Sequence, residues 1–166
     1  MSYASCPTAV VNAPVEIVWA LLADPAGWGH VFDVRVDDLD PPGPAVAGQK
    51  IMGETGPRLF HLKLAFQVIQ IDAERHRLVM DIELPFGIAV REELTCTPLN
   101  ADDCRVDYHC GFNFPIGWRG ALTRVLMRRE VNAGPVDSLS RLKRAAEMRV
   151  AGGENAGRQQ EERSWS

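Results

Sequence analysis

The chain has no long hydrophobic run and no excess of basic residues, and each absence excludes a class of protein. No segment reaches the ~18 apolar residues that a helix needs to cross a bilayer, so we expect no membrane span. The net charge of −4, from 18 basic and 22 acidic residues, argues against a nucleic-acid partner. The N-terminus has no basic segment followed by an apolar one, so we expect no signal peptide and a cytoplasmic location.

Motifs for metal binding and for nucleophilic catalysis are also missing. The four cysteines (Cys6, Cys96, Cys104 and Cys110) form no C-x-x-C pair, and none stands at zinc-ligand spacing from a histidine. We therefore expect reduced, mostly buried thiols, no metal and no other cofactor. The sequence also lacks a nucleophile elbow, a phosphate-binding loop and the residue order of a catalytic triad.

The composition is that of one folded domain. A chain of 166 residues with 46% hydrophobic content has enough apolar surface for a sizeable core. We place this domain at residues 1–150. Residues 151–166 are rich in Gly, Glu, Gln and Arg and have little to bury, so we expect a disordered polar tail.

Alternation of apolar and polar residues predicts seven strands, six of them consecutive. Their ranges are 5–11, 32–39, 48–55, 59–71, 76–84, 88–97 and 105–114. Period-2 alternation gives one wet and one dry face, as in an antiparallel sheet. The dry face needs a helix to cover it, and residues 118–149 are the remaining segment of sufficient length. Gly134-Pro135 interrupts that segment, which predicts a kink or two shorter helices near 132–135.

The most specific segment is residues 13–28, which read Ala-Pro-x-x-x-Val-Trp-x-x-Leu-x-Asp-Pro-x-x-Trp. Val15, Val18, Trp19 and Leu22 follow the spacing of one buried helical face, and the Asp24-Pro25 pair is typical of the start of a second short helix. This segment resembles the opening of the SRPBCC superfamily, which includes START and Bet v 1-like proteins and the polyketide cyclase/dehydrase-like family. Residues 138–147 resemble the end of that superfamily's long C-terminal helix.

The resemblance implies an α+β helix-grip fold. In this fold a curved antiparallel sheet, here of seven strands, wraps around a long C-terminal helix and encloses an apolar cavity. Two short helices lie between strands 1 and 2. The resemblance does not imply one reaction, because the superfamily contains lipid carriers, cyclases, dehydratases and chaperone regulators.

Residues on the dry strand faces and on the C-terminal helix are the candidate ligand contacts. They share an apolar character and, on the strands, a period of two. The set is Trp28, Phe60, Leu62, Leu64, Phe66, Met80, Ile82, Val90, Leu94, Val106, Cys110, Phe112, Trp118, Leu122 and Leu126. Trp28 and Trp118 are expected at the mouth of the cavity. Core packing is the alternative explanation for most of this set.

Three polar residues are the candidate catalytic groups. Glu92 lies between Val90 and Leu94 in period 2, so a regular strand points it inward, where a carboxyl stays protonated and can act as a general acid. A bulge after residues 85–87 would instead turn Glu92 outward. Tyr108 places a phenol on the same face, and His30 is a candidate acid–base group near the mouth. A buried structural tyrosine and a surface histidine are the alternatives.

The leading hypothesis from the sequence is a protein that binds a small hydrophobic, oxygen-bearing molecule, such as a polyketide, a lipid or an isoprenoid-like compound. Whether it also catalyses cyclisation or dehydration of that molecule, with Glu92 as proton donor and Tyr108 stabilising an enolate, stays open at this point. The alternatives are a non-catalytic lipid or quinone carrier and a protein-interaction module of the chaperone-regulator type. The identity of the ligand and the oligomeric state stay open.

Overall fold

One antiparallel sheet forms the largest layer of the protein. It is seen in a computed structural model that describes residues 2–32, 34–55, 62–126 and 128–164. The strands are β1 Ser2–Ser5, β2 Thr8–Val11, β3 Arg35–Asp40, β4 Lys50–Thr55, β5 Leu62–Asp72, β6 Arg77–Leu84, β7 Ile88–Pro98 and β8 Cys104–Asn113. Their spatial order is β1-β8-β7-β6-β5-β4-β3, and β2 also pairs with β8. All pairs are antiparallel, which confirms the predicted sheet.

The first predicted strand is divided into β1 and β2. Pro7 lies in the break between them and has no N–H to donate to a sheet ladder. Its carbonyl still accepts a hydrogen bond from the backbone N–H of Tyr108, at 3.0 Å. Both short strands therefore stay on the same partner, β8, in one continuous register.

The helices have the predicted order. Helix α1 covers Val15–Leu22, and a 3₁₀ helix covers Pro25–His30 with Asp24 at its N-cap position. Helix α2 covers Trp118–Leu126, and helix α3 covers Arg128–Ser164. This is the helix-grip architecture that the resemblance implies: an antiparallel sheet, two short helices after its first strands and a long C-terminal helix.

Two details of the C-terminal region differ from the sequence prediction. Helix α3 continues through Pro135, so the chain is not divided into two helices at 132–135. Pro135 is buried on the inner side of α3, where packing offsets part of its helix-breaking cost. Helix α3 also continues to Ser164, over residues for which we expected a disordered tail. Alanine, glutamate, glutamine and arginine in that segment are good helix formers.

Helix α3 covers the inner face of the sheet. Its buried side chains recur every three or four residues, as on one helical face: Val131, Pro135, Leu139, Leu142 and Ala146. Lys143 Nζ donates to the carbonyl of Val10 at 2.8 Å, and Glu147 accepts from the N–H of Asn12 at 3.1 Å. These contacts hold the middle of α3 against the end of β2.

Helix α2 packs close to the chain that follows β8. A Cβ atom at position 120 would clash with the carbonyl of Pro115, so only glycine fits there. The side chains of Trp118, Leu122 and Val125 nevertheless stay largely exposed. No helix within the described ranges is long and apolar enough to span a bilayer.

Candidate functional site

Glu92 lies on the inner face of the sheet at the centre of β7. In the register of the sheet it is opposite Met80 of β6 on one side and Cys110 of β8 on the other. Glu92 is 8% exposed. Every other charged residue whose burial is described is at least partly exposed. The strand after residues 85–87 is regular, so Glu92 takes the inward position that simple alternation predicts.

Burial raises the pKa of Glu92 to about 7 because a carboxylate loses its hydration inside the sheet. The nearby hydroxyl of Tyr108 and thiol of Cys110 act in the opposite direction and lower the pKa. The Cys110 thiol donates to Glu92 Oε1 at 3.6 Å. Oε2 is buried and has no hydrogen-bond partner. The geometry therefore leaves one oxygen of this carboxyl group buried without a hydrogen bond, and the pKa of about 7 makes the group half protonated near neutral pH.

Tyr108 connects the carboxyl group to helix α3. It lies opposite Leu94 and one inward position along β8 from Cys110, and its side chain is 2% exposed. Burial and the nearby Glu92 raise the pKa of Tyr108 well above its ordinary value, whereas a hydrogen bond with Ser138 lowers it. The phenol therefore keeps its proton at any physiological pH and can act as a hydrogen-bond donor.

We call these four residues (Glu92, Tyr108, Cys110 and Ser138) the inner polar cluster. Ser138 was not among the sequence candidates. It is half-buried and lies three residues after the buried Pro135 and four before the buried Leu142, so it belongs to the inner side of α3. That spacing is visible in the sequence and identifies Ser138 once the phase of the helix is known.

A cavity of about 710 Å³ lies beyond the end of β8, and no residue of the inner polar cluster lines it. Its lining includes Phe114 after β8, Val131 of α3, and Gly120 and Val125 of α2. Phe112 is the inward residue of β8 between Cys110 and Phe114. The volume falls within the ~300–1,000 Å³ that is typical of small-molecule sites.

Most predicted ligand contacts on the strands lie on the inner face. Leu62 is half-buried, and the buried ones are Leu64, Phe66, Met80, Ile82, Val90, Leu94, Val106, Cys110 and Phe112. Burial alone does not separate ligand contacts from core packing. Phe60 and the side chain of Leu126 lie outside the described part of the chain.

Three predicted ligand contacts lie elsewhere. Trp28 is fully buried and does not lie at the mouth of a cavity. Its indole N–H donates to the carbonyl of Leu22 at 3.1 Å, and its ring contacts the edge of the Phe66 ring. Trp118 is 73% exposed and Leu122 is 53% exposed. Both side chains of α2 are therefore open to solvent rather than buried against the sheet.

His30 is not part of the inner polar cluster. It is exposed at the end of the 3₁₀ helix, and in the described part of the structure no hydrogen bond joins it to Glu92 or Tyr108. Asp33, three residues later and able to form an acid–base pair with His30, lies outside the described residues. The structure therefore brings together two of the three candidate catalytic groups. Within the described ranges, no group of three or more His, Cys, Asp or Glu side chains is arranged to hold a metal ion.

Comparisons with known proteins agree with this architecture. The Zhui aromatase/cyclase from a Streptomyces species has 16% identity and a TM-score of 0.70, with 90% of this chain and 96% of that chain covered. Norcoclaurine synthase from Thalictrum flavum, bound to dopamine and hydroxybenzaldehyde, has 13% identity and a TM-score of 0.63, with 87% and 86% covered. Major latex-like protein 151 from Panax ginseng has 11% identity and a TM-score of 0.65, with 89% and 97% covered.

At these identities the similar structures establish the fold and confirm the helix-grip prediction. No curated protein sequence matches the chain. The family model for polyketide cyclase/dehydrase and lipid transport matches residues 7–147, which include every strand from β2 to β8 and the inner polar cluster. The resemblance seen in residues 13–28 is thereby confirmed, and the chain belongs to the polyketide cyclase/dehydrase and lipid transport family.

Proposed function

We propose that this protein binds a small hydrophobic, oxygen-bearing molecule between the sheet and α3, and that Glu92 donates a proton to it during cyclisation or dehydration. Polyketides, lipids and isoprenoid-like compounds are the classes that fit an apolar site with few polar groups. The observation that carries the proposal is Glu92 Oε2, a buried oxygen without a hydrogen-bond partner on a carboxyl group whose pKa is about 7. Cytoplasmic thiols stay reduced, which suits Cys110 as a donor to Glu92.

The cost of burying Glu92 supports a functional role. A buried polar atom without a partner destabilises the folded state by about 1–3 kcal/mol, and apolar residues surround this one. A ligand carbonyl or hydroxyl placed at Oε2 would supply the missing hydrogen bond. Binding of an oxygen-bearing ligand would then remove a cost that the free protein carries.

The chemistry that follows needs no other reactant. In a dehydration, the Glu92 proton goes to the leaving hydroxyl as the C–O bond breaks and water forms. The electrons of the neighbouring C–H bond form the C=C bond, and the carboxylate left on Glu92 accepts that proton. Tyr108 would donate a hydrogen bond to the substrate carbonyl and stabilise the negative charge that develops on its oxygen as the C–H bond breaks.

The test compares the wild type with Glu92→Gln, which keeps the shape of the side chain and removes its acidic proton. Native mass spectrometry first identifies the ligand from a panel of an aromatic polyketide, an isoprenoid quinone and a fatty acid. With the compound that binds, we expect Glu92→Gln to bind it and to form product at least ~100-fold more slowly. The control is Glu83→Gln, on the exposed side of β6, which should behave as the wild type.

Two results would contradict the proposal. Binding of none of the three classes would exclude the proposed ligand. Tight binding with unchanged turnover in Glu92→Gln would exclude the acid role. Binding without any turnover in the wild type would favour the second candidate, a lipid or quinone carrier, which the family description supports.

A further inference from the structure

The outer face of the sheet carries a thiol that differs from the three others. Cys6 is exposed, whereas Cys96, Cys104 and Cys110 are buried. Burial raises the pKa of Cys96 to about 12, so that this thiol keeps its proton at neutral pH. An accessible thiol and a proton acceptor are the two requirements for thiol chemistry, and both come together at Cys6.

The break between β1 and β2 places Cys6 beside a histidine. Ser5 pairs with Cys110 and Thr8 pairs with Asp107, so Cys6 falls across from His109 on the outer side of β8. The distance from Cys6 Sγ to His109 Nδ1 is 2.9 Å. In the tautomer with its proton on Nε2, His109 accepts the thiol proton at Nδ1.

Acidic and basic groups continue this row across the sheet. His109 is directly opposite Glu93 of β7, and Glu93 accepts a hydrogen bond from Arg77 of β6 at 2.7 Å. The charge of His109, when protonated, contributes to lowering the pKa of Glu93. The thiol of Cys6, the imidazole on β8 and the carboxylate on β7 thus lie in order across the sheet, the order in which a nucleophile, its base and a group that stabilises the protonated base are found.

A depression in the surface adjoins the histidine. Its volume is about 540 Å³, and His109, Glu93, Arg91, Tyr3 and Asn113 line it. This space would hold a small molecule against the imidazole that contacts Cys6. Most of its lining residues lie on the outer side of the sheet, and none belongs to the inner polar cluster.

We propose that Cys6 and His109 form a second reactive site, at which Cys6 adds to small α,β-unsaturated carbonyl compounds. His109 Nδ1 takes the proton of the thiol, and a sulfur electron pair forms a C–S bond with the β-carbon. The C=C π electrons move to the carbonyl as an enolate, and the α-carbon then takes the proton back from His109. Nothing is oxidised or reduced, and the sum is the addition of S–H across one double bond.

The test uses N-ethylmaleimide on the folded, full-length protein, with intact-mass spectrometry and peptide mapping. We expect one rapid adduct at Cys6, no adduct at the buried cysteines on the same time scale, and no rapid adduct in Cys6→Ser. In His109→Gln the rate of labelling at Cys6 should fall about tenfold or more, because the proton acceptor is gone. The control His30→Gln removes an exposed histidine elsewhere and should leave the rate unchanged.

A second comparison separates activation of the Cys6 thiol by His109 from simple accessibility of the thiol to the reagent. In denaturant, wild type and His109→Gln should label at equal rates, because the contact between Cys6 and His109 exists only in the fold. Equal rates in the folded proteins would overturn the proposal, as would labelling of the buried cysteines as fast as Cys6. Substituting His109→Asn, which is shorter and also lacks a basic nitrogen, should give the same loss and so exclude an effect particular to glutamine.

Discussion

Glu92 and Glu93 are neighbours in one strand and have opposite electrostatic behaviour. Glu92 points inward among apolar side chains, and burial raises its pKa to about 7. Glu93 points outward, where a hydrogen bond from the Arg77 guanidinium lowers its pKa below the ordinary value. The residue type and the backbone are the same, so the difference comes from which face of the sheet each side chain occupies.

The adjacent strands repeat this contrast. On β6, Met80 is fully buried opposite Glu92, and the next residue, Asp81, forms a two-point ion pair with Arg91 on the outer side. On β8, Cys110 is buried opposite Glu92. The inner face therefore favours the neutral forms of its titratable side chains, whereas the outer face stabilises charged side chains by pairing them. Because successive residues of a strand point to opposite faces, neighbours in one strand can differ in this way.

Among substitutions that compare the two faces of the sheet, we expect the largest effect on the free energy of unfolding. Met80→Ala removes a fully buried side chain next to Glu92, and we expect a loss of about 2–5 kcal/mol in the free energy of unfolding. Asp81→Ala, one residue away on the outer face, should cost less than ~1 kcal/mol because exposed ion pairs contribute little. Urea denaturation measures both. Similar losses at the two positions would contradict the assignment of the faces.

The pH dependence of stability should show a smaller effect, which isolates Glu92. The folded protein binds the Glu92 proton more tightly than the unfolded chain, whose carboxyl has the ordinary pKa of 4.5. This contribution is fully present below pH 4.5 and is lost as the pH rises to about 7. Relative to Glu92→Gln, the wild type should therefore lose about 3 kcal/mol over that interval. A difference between the two proteins that does not change with pH would contradict this prediction.

The outer glutamate should give the smallest effect, with the opposite sign. Because the folded-state pKa of Glu93 is lowered, its pairing with Arg77 stabilises the protein above the unfolded-state pKa and is lost as the pH falls through the folded-state value. Glu93 is about one-third exposed, so we expect Glu93→Gln to cost at most ~1 kcal/mol at neutral pH. In acid, the two proteins should unfold at the same urea concentration.

The sequence predicts the strands well because alternation of polar and apolar residues is a local property. The inward position of Glu92 follows from Val90 and Leu94 on either side, and the structure has no bulge in β7 that would reverse it. The opening motif of residues 13–28 predicts both short helices for the same reason. Each of these features depends on residues close together in the chain.

The features that sequence analysis missed depend on contacts between distant segments. Ser138 is a cluster residue only because α3 presents it to Tyr108, thirty positions earlier. Pro135 was expected to kink the helix or divide it in two, but it is buried and lies within a single helix, α3. Trp118 and Leu122 have the spacing of a buried face, yet both side chains are largely exposed.

The central claim is that Glu92 is a buried acid that keeps its proton close to neutral pH. Labelling glutamate carboxyl groups with ¹³C and following the shift that disappears in Glu92→Gln measures this pKa directly. We predict a midpoint of about 7 for Glu92 in the protein without ligand. A midpoint at or below the ordinary value of 4.5 would show that the carboxyl group is charged or hydrated at neutral pH, and would contradict the account of the inner face.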